Sequence, residues 1–165
     1  MHTAKLFPHH NTRLDPSKRR VLSFGEGPEA FSELQITDTL CPISRGYIQL
    51  SGPDSRKFLQ GQVTCDMQTV TGHQVLRGAH CTPKGRIIFL FSALCDSNDN
   101  ILLETHSSVI SQAIANLKKY AVFFKTEISD VSASLTTFLI SGPSSAKSIA
   151  TLCHQPLPKP GMHVE

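Results

Sequence analysis

Apolar residues recur along this chain in two rhythms, and the change from one to the other divides its middle into short elements. Tyr47, Ile48 and Leu50 form an apolar run that stops at Ser51-Gly52. This predicts a strand, with a helix from Asp54 to Gln60 behind it, because Pro53 in the first helical position forfeits no hydrogen bond. Phe58 and Leu59 are its core residues. Gln74 to Thr82 and Arg86 to Cys95 are extended runs flanking Pro83-Lys84-Gly85, whose proline and glycine suit the central positions of a tight turn; together they predict a hairpin. Ile87 to Phe91 is apolar at every position, the pattern of a strand covered on both faces.

Asp96-Ser97-Asn98-Asp99-Asn100 reads as the next turn and Ile101 to Thr105 as the next strand. From Ser108 the spacing becomes helical. Ile110, Ala113, Ile114, Leu117 and Ala121 share one stripe, and Lys118 and Lys119 stand where the helix dipole favours cations. Val122 to Ile128 predicts a further strand. Phe138-Leu139-Ile140 then leads through Ser141-Gly142-Pro143-Ser144 into Ala146, Ile149, Ala150 and Cys153 at helical spacing. The order strand, Ser-Gly-Pro, helix thus occurs twice and implies βα repetition, although Ser-Gly-Pro is also a common helix start. Helices among hairpin-linked strands indicate an α+β fold, a sheet of mixed pairing with packed helices. Residues 1–40 lack either period and predict an irregular N-terminal arm; 41–155 form the folded domain, and the proline-rich 156–165 a linker.

At 165 residues, 39% of them apolar and 18% charged, the chain can bury an ordinary core. No segment approaches the length of apolar sequence that spans a bilayer, so a cytoplasmic protein without membrane contact is expected. The formal charge of +3 is mild. Its dense cluster, Lys18-Arg19-Arg20, lies in the arm, where a solvated tail accounts for it better than direct nucleic-acid binding. Cys41, Cys65, Cys81, Cys95 and Cys153 are odd in number and irregular in spacing, which suits reduced, mostly buried thiols rather than a disulfide framework or zinc site.

Candidate chemistry is sparse: there is no nucleophile motif, phosphate loop or Cys-x-x-Cys, so no catalytic residue is assigned. His80 and Cys81 are adjacent on a strand, point to opposite faces and cannot readily share a metal ion. Asp66, just beyond the first helix, can accept backbone N–H groups or a ligand's ring nitrogens, with capping at least as good a reading. Lys84 and Arg86 flank the hairpin glycine and can meet an anionic ligand tail, though hairpin-tip charges are usually only solvated. For Asp96 and Asp99 a plain turn explains the pair better than joint acid–base chemistry.

Four ordered blocks carry a family resemblance. Gly52-Pro53-Asp54-Ser55, Phe58 to Asp66, Ala79 to Arg86 and Leu117-Lys118-Lys119-Tyr120-Ala121-Val122-Phe123-Phe124-Lys125 together resemble the YgfZ family of folate-binding proteins, over roughly residues 38 to 143. The resemblance implies the ferredoxin-like αβ half of the aminomethyltransferase (GcvT-like) fold, built around a channel that binds tetrahydrofolate. Asp66, Lys84 and Arg86 would form part of that site. It further implies a role in assembling or repairing iron–sulfur clusters, and so, indirectly, in the work of radical-SAM enzymes that thiomethylate tRNA.

Two departures qualify this. True aminomethyltransferases carry an acidic pair just after the hairpin glycine, where this chain has Ile88 and Phe89. Apolar side chains cannot stabilise a charged amine, which argues against methylene transfer. The family's Lys-Gly-Cys-x-x-Gly-Gln-Glu block is also absent, implying a truncated chain that exposes apolar residues such as Val63 and Ile87. The readings in competition are a folate-binding accessory protein, a folate-dependent one-carbon transferase and a non-catalytic interaction fragment that has lost folate binding.

Overall fold

The computed structural model describes residues 13–14, 21–23, 36, 38–160 and 162. Two compact units emerge, one from Arg45–Leu135 with Pro158–Glu165, the other from Met1–Ser44 with Thr136–Leu157.

The first unit is built on a five-stranded sheet. Its strands are β4 (Arg45–Ser51), β5 (Leu76–Cys81), β6 (Ile87–Cys95), β7 (Ile101–His106) and β8 (Glu127–Asp130), in the order β5-β6-β7-β4-β8. Alternation decides its faces. Ile48 and Leu50 of β4, Phe89, Phe91 and Ala93 of β6, and Ile101 and Leu103 of β7 are all buried on one side. Helix α1 (Ser55–Gln60) brings Phe58 and Leu59 to this cluster, and α2 (Ile110–Tyr120) brings Ile110, Ala113 and Leu117. Each helix therefore meets the sheet along the stripe that its sequence period laid down.

The second unit is slighter. Strand β3 (Thr39–Ile43) pairs with β9 (Thr137–Ser141), and α3 (Ser145–Cys153) follows β9. A further short ladder joins β1 (Arg13–Leu14) to β2 (Val21–Ser23). None of its described side chains is buried, as expected when a two-stranded sheet has a single helix to cover it. The N-terminal arm expected at 1–40 lies mostly outside the described residues, as does Lys18-Arg19-Arg20; the parts described within it are largely extended.

The βα repetition is real and its glycines explain it. Gly52 has φ +116° and Gly142 φ +135°, a region that side chains resist, so each strand turns sharply into its helix. A Cβ on Gly52 would lie 2.5 Å from the Lys125 carbonyl oxygen. Both turns donate a serine N–H back to the glycine carbonyl, Ser55 at 3.1 Å and Ser145 at 3.3 Å. The helix starts differ in their carboxylates. Asp54 accepts from the Lys125 N–H at 2.8 Å, whereas the α3 start is held by Asp38, which accepts from the Ser144 N–H at 2.9 Å and the Ser148 hydroxyl at 3.0 Å.

Differences from expectation are local and have visible causes. Helix α1 begins at Ser55, so Pro53 lies in the turn before it rather than at its first position. In the β5–β6 hairpin Gly85 closes the turn, its N–H bonded to the Thr82 carbonyl at 2.8 Å and its φ at +77°, leaving Pro83 and Lys84 central. Val122 does not begin a strand: Ala121–Phe123 is a 3₁₀ turn, and Phe124 anchors it inward against Phe58, with ring centroids 5.3 Å apart. The α+β class is as expected, but every ladder between described residues is antiparallel rather than of mixed pairing, because neighbouring strands within each ladder run in opposite directions. Strand β6 is covered on one face only. Leu90 is 63% exposed, because both helices pack on the other side of the sheet.

Candidate functional site

A split in the sheet creates a concavity. The β6–β7 ladder runs from Cys95 opposite Ile101 to Ser92 opposite Glu104 and ends there. Beyond that point β6 continues to Ile87 paired with β5, while β7 continues to His106 paired with β4. Where the strands part, the Thr105 hydroxyl donates to the Leu90 carbonyl at 2.7 Å, satisfying a group that the ladder has abandoned. The resulting hollow has a volume of about 790 Å³.

Its lining follows from strand alternation. Ile88 and Leu90 supply an apolar floor, with Ala79 from β5 beside them. The charged groups are Arg77 on β5, Arg45 on β4, and Glu104 and His106 on β7. Arg45 Nε stands 3.2 Å from Glu104 Oε1, and His106 Nδ1 lies 2.7 Å from the Ser108 hydroxyl at the approach to α2. A flat apolar surface with cations and one carboxylate at its margin can take a planar heteroaromatic ring that carries N–H donors and an anionic tail.

The residues singled out by sequence sit elsewhere. Lys84 and Arg86 come together with Thr82 and Pro83 around a smaller concavity at the β5–β6 hairpin tip. Asp66 lines neither hollow. Its Oδ1 accepts from the Gln68 N–H at 3.0 Å and caps the 3₁₀ turn Met67–Thr69, while its other oxygen makes no hydrogen bond among the described residues. Asp96 is a turn residue, with Oδ1 accepting from the N–H groups of Asn98 and Asn100. His80 is buried, with Nδ1 2.8 Å from the Gln62 carbonyl oxygen; that nitrogen must donate, and Nε2 has no partner among the described residues. Among the described residues no group of three or more His, Cys, Asp or Glu is placed to hold a metal ion. Of the cysteines only Cys95 is buried; Cys41, Cys65 and Cys81 are half-buried and Cys153 is exposed.

Sequence reading missed Arg45, Arg77, Glu104 and His106. The available signal was a charge at a strand position whose neighbours on either side are apolar or small, as at Glu104 and Arg77. It also missed Arg56. This side chain donates from Nη1 to the carbonyls of Met67 at 2.9 Å and Val70 at 2.6 Å, and from Nη2 to Asp99 Oδ1 at 2.8 Å. Asp99 also accepts from the Cys95 thiol at 3.2 Å. Burial, then the hydrogen bond to Asp99, pushes the Cys95 thiol up to about 11, and the same bonds from Cys95 and Arg56 hold the Asp99 carboxyl below its usual range.

Residues 42–162 match the GCVT N-terminal domain. The chain belongs to that family. Among curated proteins it is 38% identical over 104 residues to the tRNA-modifying protein YgfZ of Colwellia psychrerythraea strain 34H, covering 63% of this chain and 32% of that protein. It is 36% identical over 116 residues to the protein of the same name from Hamiltonella defensa, covering 68% and 33%. The chain thus spans about a third of the length of these relatives. Among solved structures, the glycine cleavage system aminomethyltransferase T from Bartonella henselae superimposes with a TM-score of 0.79 at 15% identity, over 94% of this chain and 44% of that one. The YgfZ resemblance carried by the four sequence blocks is therefore sound, and so is the aminomethyltransferase-like α+β fold. No helix among the described residues is long and apolar enough to cross a membrane.

Proposed function

We propose that this chain is a tetrahydrofolate-binding accessory protein that acts in the cytoplasm in iron–sulfur cluster assembly or repair and, through iron–sulfur enzymes such as radical-SAM methylthiotransferases, in tRNA modification. The observation that carries the reading is the hollow at the split of β6 and β7 in a chain of this family. Its volume is in the range of small-molecule sites, roughly 300–1,000 Å³. The donor set suits a folate. Ile88 and Leu90 offer an apolar bed for a pteridine, and Glu104 is a carboxylate able to accept from ring N–H groups. Arg77, with Lys84 and Arg86 at the hairpin tip, supplies cations available to the glutamate carboxylates, while Arg45 pairs with Glu104. Asp66 lines neither hollow, and its part in the ligand site is proposed on the family resemblance alone.

Bound folate supplies a one-carbon carrier, but this chain's residues do not equip it for aminomethyl transfer. Ile88 and Phe89 follow the hairpin turn, Phe89 is buried in the core, and neither can orient an amine. An accessory role is accordingly preferred to a transferase. Isothermal titration of the chain with tetrahydrofolate is expected to show binding that weakens about tenfold in Glu104→Gln and in Arg77→Ala, about 1.4 kcal/mol each. Absence of any heat at about 1 mM folate, a concentration that reaches even affinities near −4 kcal/mol, would sink the proposal. Turnover of a methylamine donor with tetrahydrofolate would instead favour the transferase.

A further inference from the structure

The turn after α2 places apolar and cationic groups in solvent together. Phe124 is drawn inward against Phe58, and its N–H closes the turn on the Ala121 carbonyl at 2.9 Å. The two residues before it are thereby turned outward. Phe123 is 93% exposed and Val122 74%, with the Tyr120 ring 45% exposed at the helix end. Around them Lys118, Lys119 and Lys125 are exposed, and none forms an ion pair among the described residues. Residues 107–126 contain no acidic side chain. The carboxylates at the margin are Glu127, which begins β8, and Asp54, whose Oδ2 is engaged by the Lys125 N–H at 2.8 Å.

We infer that this turn is a contact surface for single-stranded RNA, with Tyr120 and Phe123 stacking on bases and the three lysines meeting phosphates. Charge complementarity selects a polyanion, and the two rings select one whose π-faces are accessible. An anionic bilayer is the weaker match, since the apolar stripe of α2 is spent on the core and leaves only this turn to insert. The inference rests neither on Lys18-Arg19-Arg20, which lie outside the described residues, nor on folate binding.

The test is fluorescence anisotropy of a labelled oligouridine RNA, with the whole chain, across a salt series. Three phosphate contacts predict a log–log salt slope of about −2. Phe123→Ala is expected to weaken binding about tenfold and leave that slope unchanged, because a stacked ring is lost but no charge. The double variant Lys118→Ala with Lys119→Ala is expected to flatten the slope to about −0.7. Circular dichroism establishes that each variant folds, as is expected for exposed positions. No binding at about 0.2 mM protein in low salt, where these electrostatic contacts are strongest, would overturn the inference. So would equal affinity of Phe123→Ala and the parent, or binding to phosphatidylserine vesicles without binding to the RNA.

Discussion

Replacing Arg56 by alanine should unlatch the turn at 67–70 from α1, and the structure allows its cost to be separated from that of the visible ion pair. Arg56 makes two charge-assisted bonds to main-chain carbonyls and one to Asp99. Bonds of that kind are worth roughly 1.5–3 kcal/mol each when shielded. The Arg56 side chain is 30% exposed, so water replaces part of what is lost, and the low end of the range applies. Two such bonds come to about 3 kcal/mol. The pair with Asp99 adds little, because that carboxylate is 79% exposed and surface pairs are worth about 0–1 kcal/mol. Urea melts followed by far-ultraviolet circular dichroism should therefore show Arg56→Ala losing about 3 kcal/mol and Asp99→Asn less than about 1. Asparagine is the proper replacement, since Asp99 sits at φ 60°, which it tolerates. Equal losses in the two variants would refute the reasoning by placing the energy in the ion pair.

The Cys95 thiol is neutral in the fold to about 11, against 9.0 when unperturbed. Stability from this group is complete below about pH 9 and is lost as pH rises through the interval to about 11, where the unfolded thiol ionises and the folded one does not. Iodoacetamide labelling read by mass spectrometry should modify Cys153 while sparing Cys95 at pH 8, and labelling of Cys95 at the same rate would contradict this. Gly52→Ala should cost more than about 2 kcal/mol, because a Cβ is both strained at that φ and driven onto the Lys125 carbonyl. Gly61→Ala is its control. With φ −86° and no atom nearer than 3.7 Å to its Cβ, it should be neutral or gain about 0.5 kcal/mol in the same melts, and a large loss there would undo the argument.

The strands and helices of 45–130 could be read from the sequence because each is a local pattern. Alternation at Ile48 and Leu50, the stripe from Ile110 to Leu117 and the turn residues at 82–86 and 96–100 all act through neighbours within a few positions. Even the two Ser-Gly-Pro turns were visible, since the backbone there requires glycine whatever surrounds it. Reading failed where an apolar residue had a choice of partners. Leu90 and Phe91 are equally hydrophobic, yet one is exposed and the other buried, a distinction made by which face of the sheet the two helices cover. Val122 and Phe123 resemble strand residues until Phe124 is claimed by Phe58.

The same reason governs the candidate site. Asp66, Lys84 and Arg86 stood out because they flank turns, but a hollow is made by residues distant in sequence. Arg45, Arg77 and Glu104 face one hollow only after β7 has paired with β4, β6 with β5, and the β6–β7 ladder has ended. Local periodicity determined most of the elements this chain forms, and four ordered sequence blocks carried the resemblance to its family. Where those elements part, and hence what faces the hollow, was left to long-range strand pairing, which no window of neighbouring residues encodes.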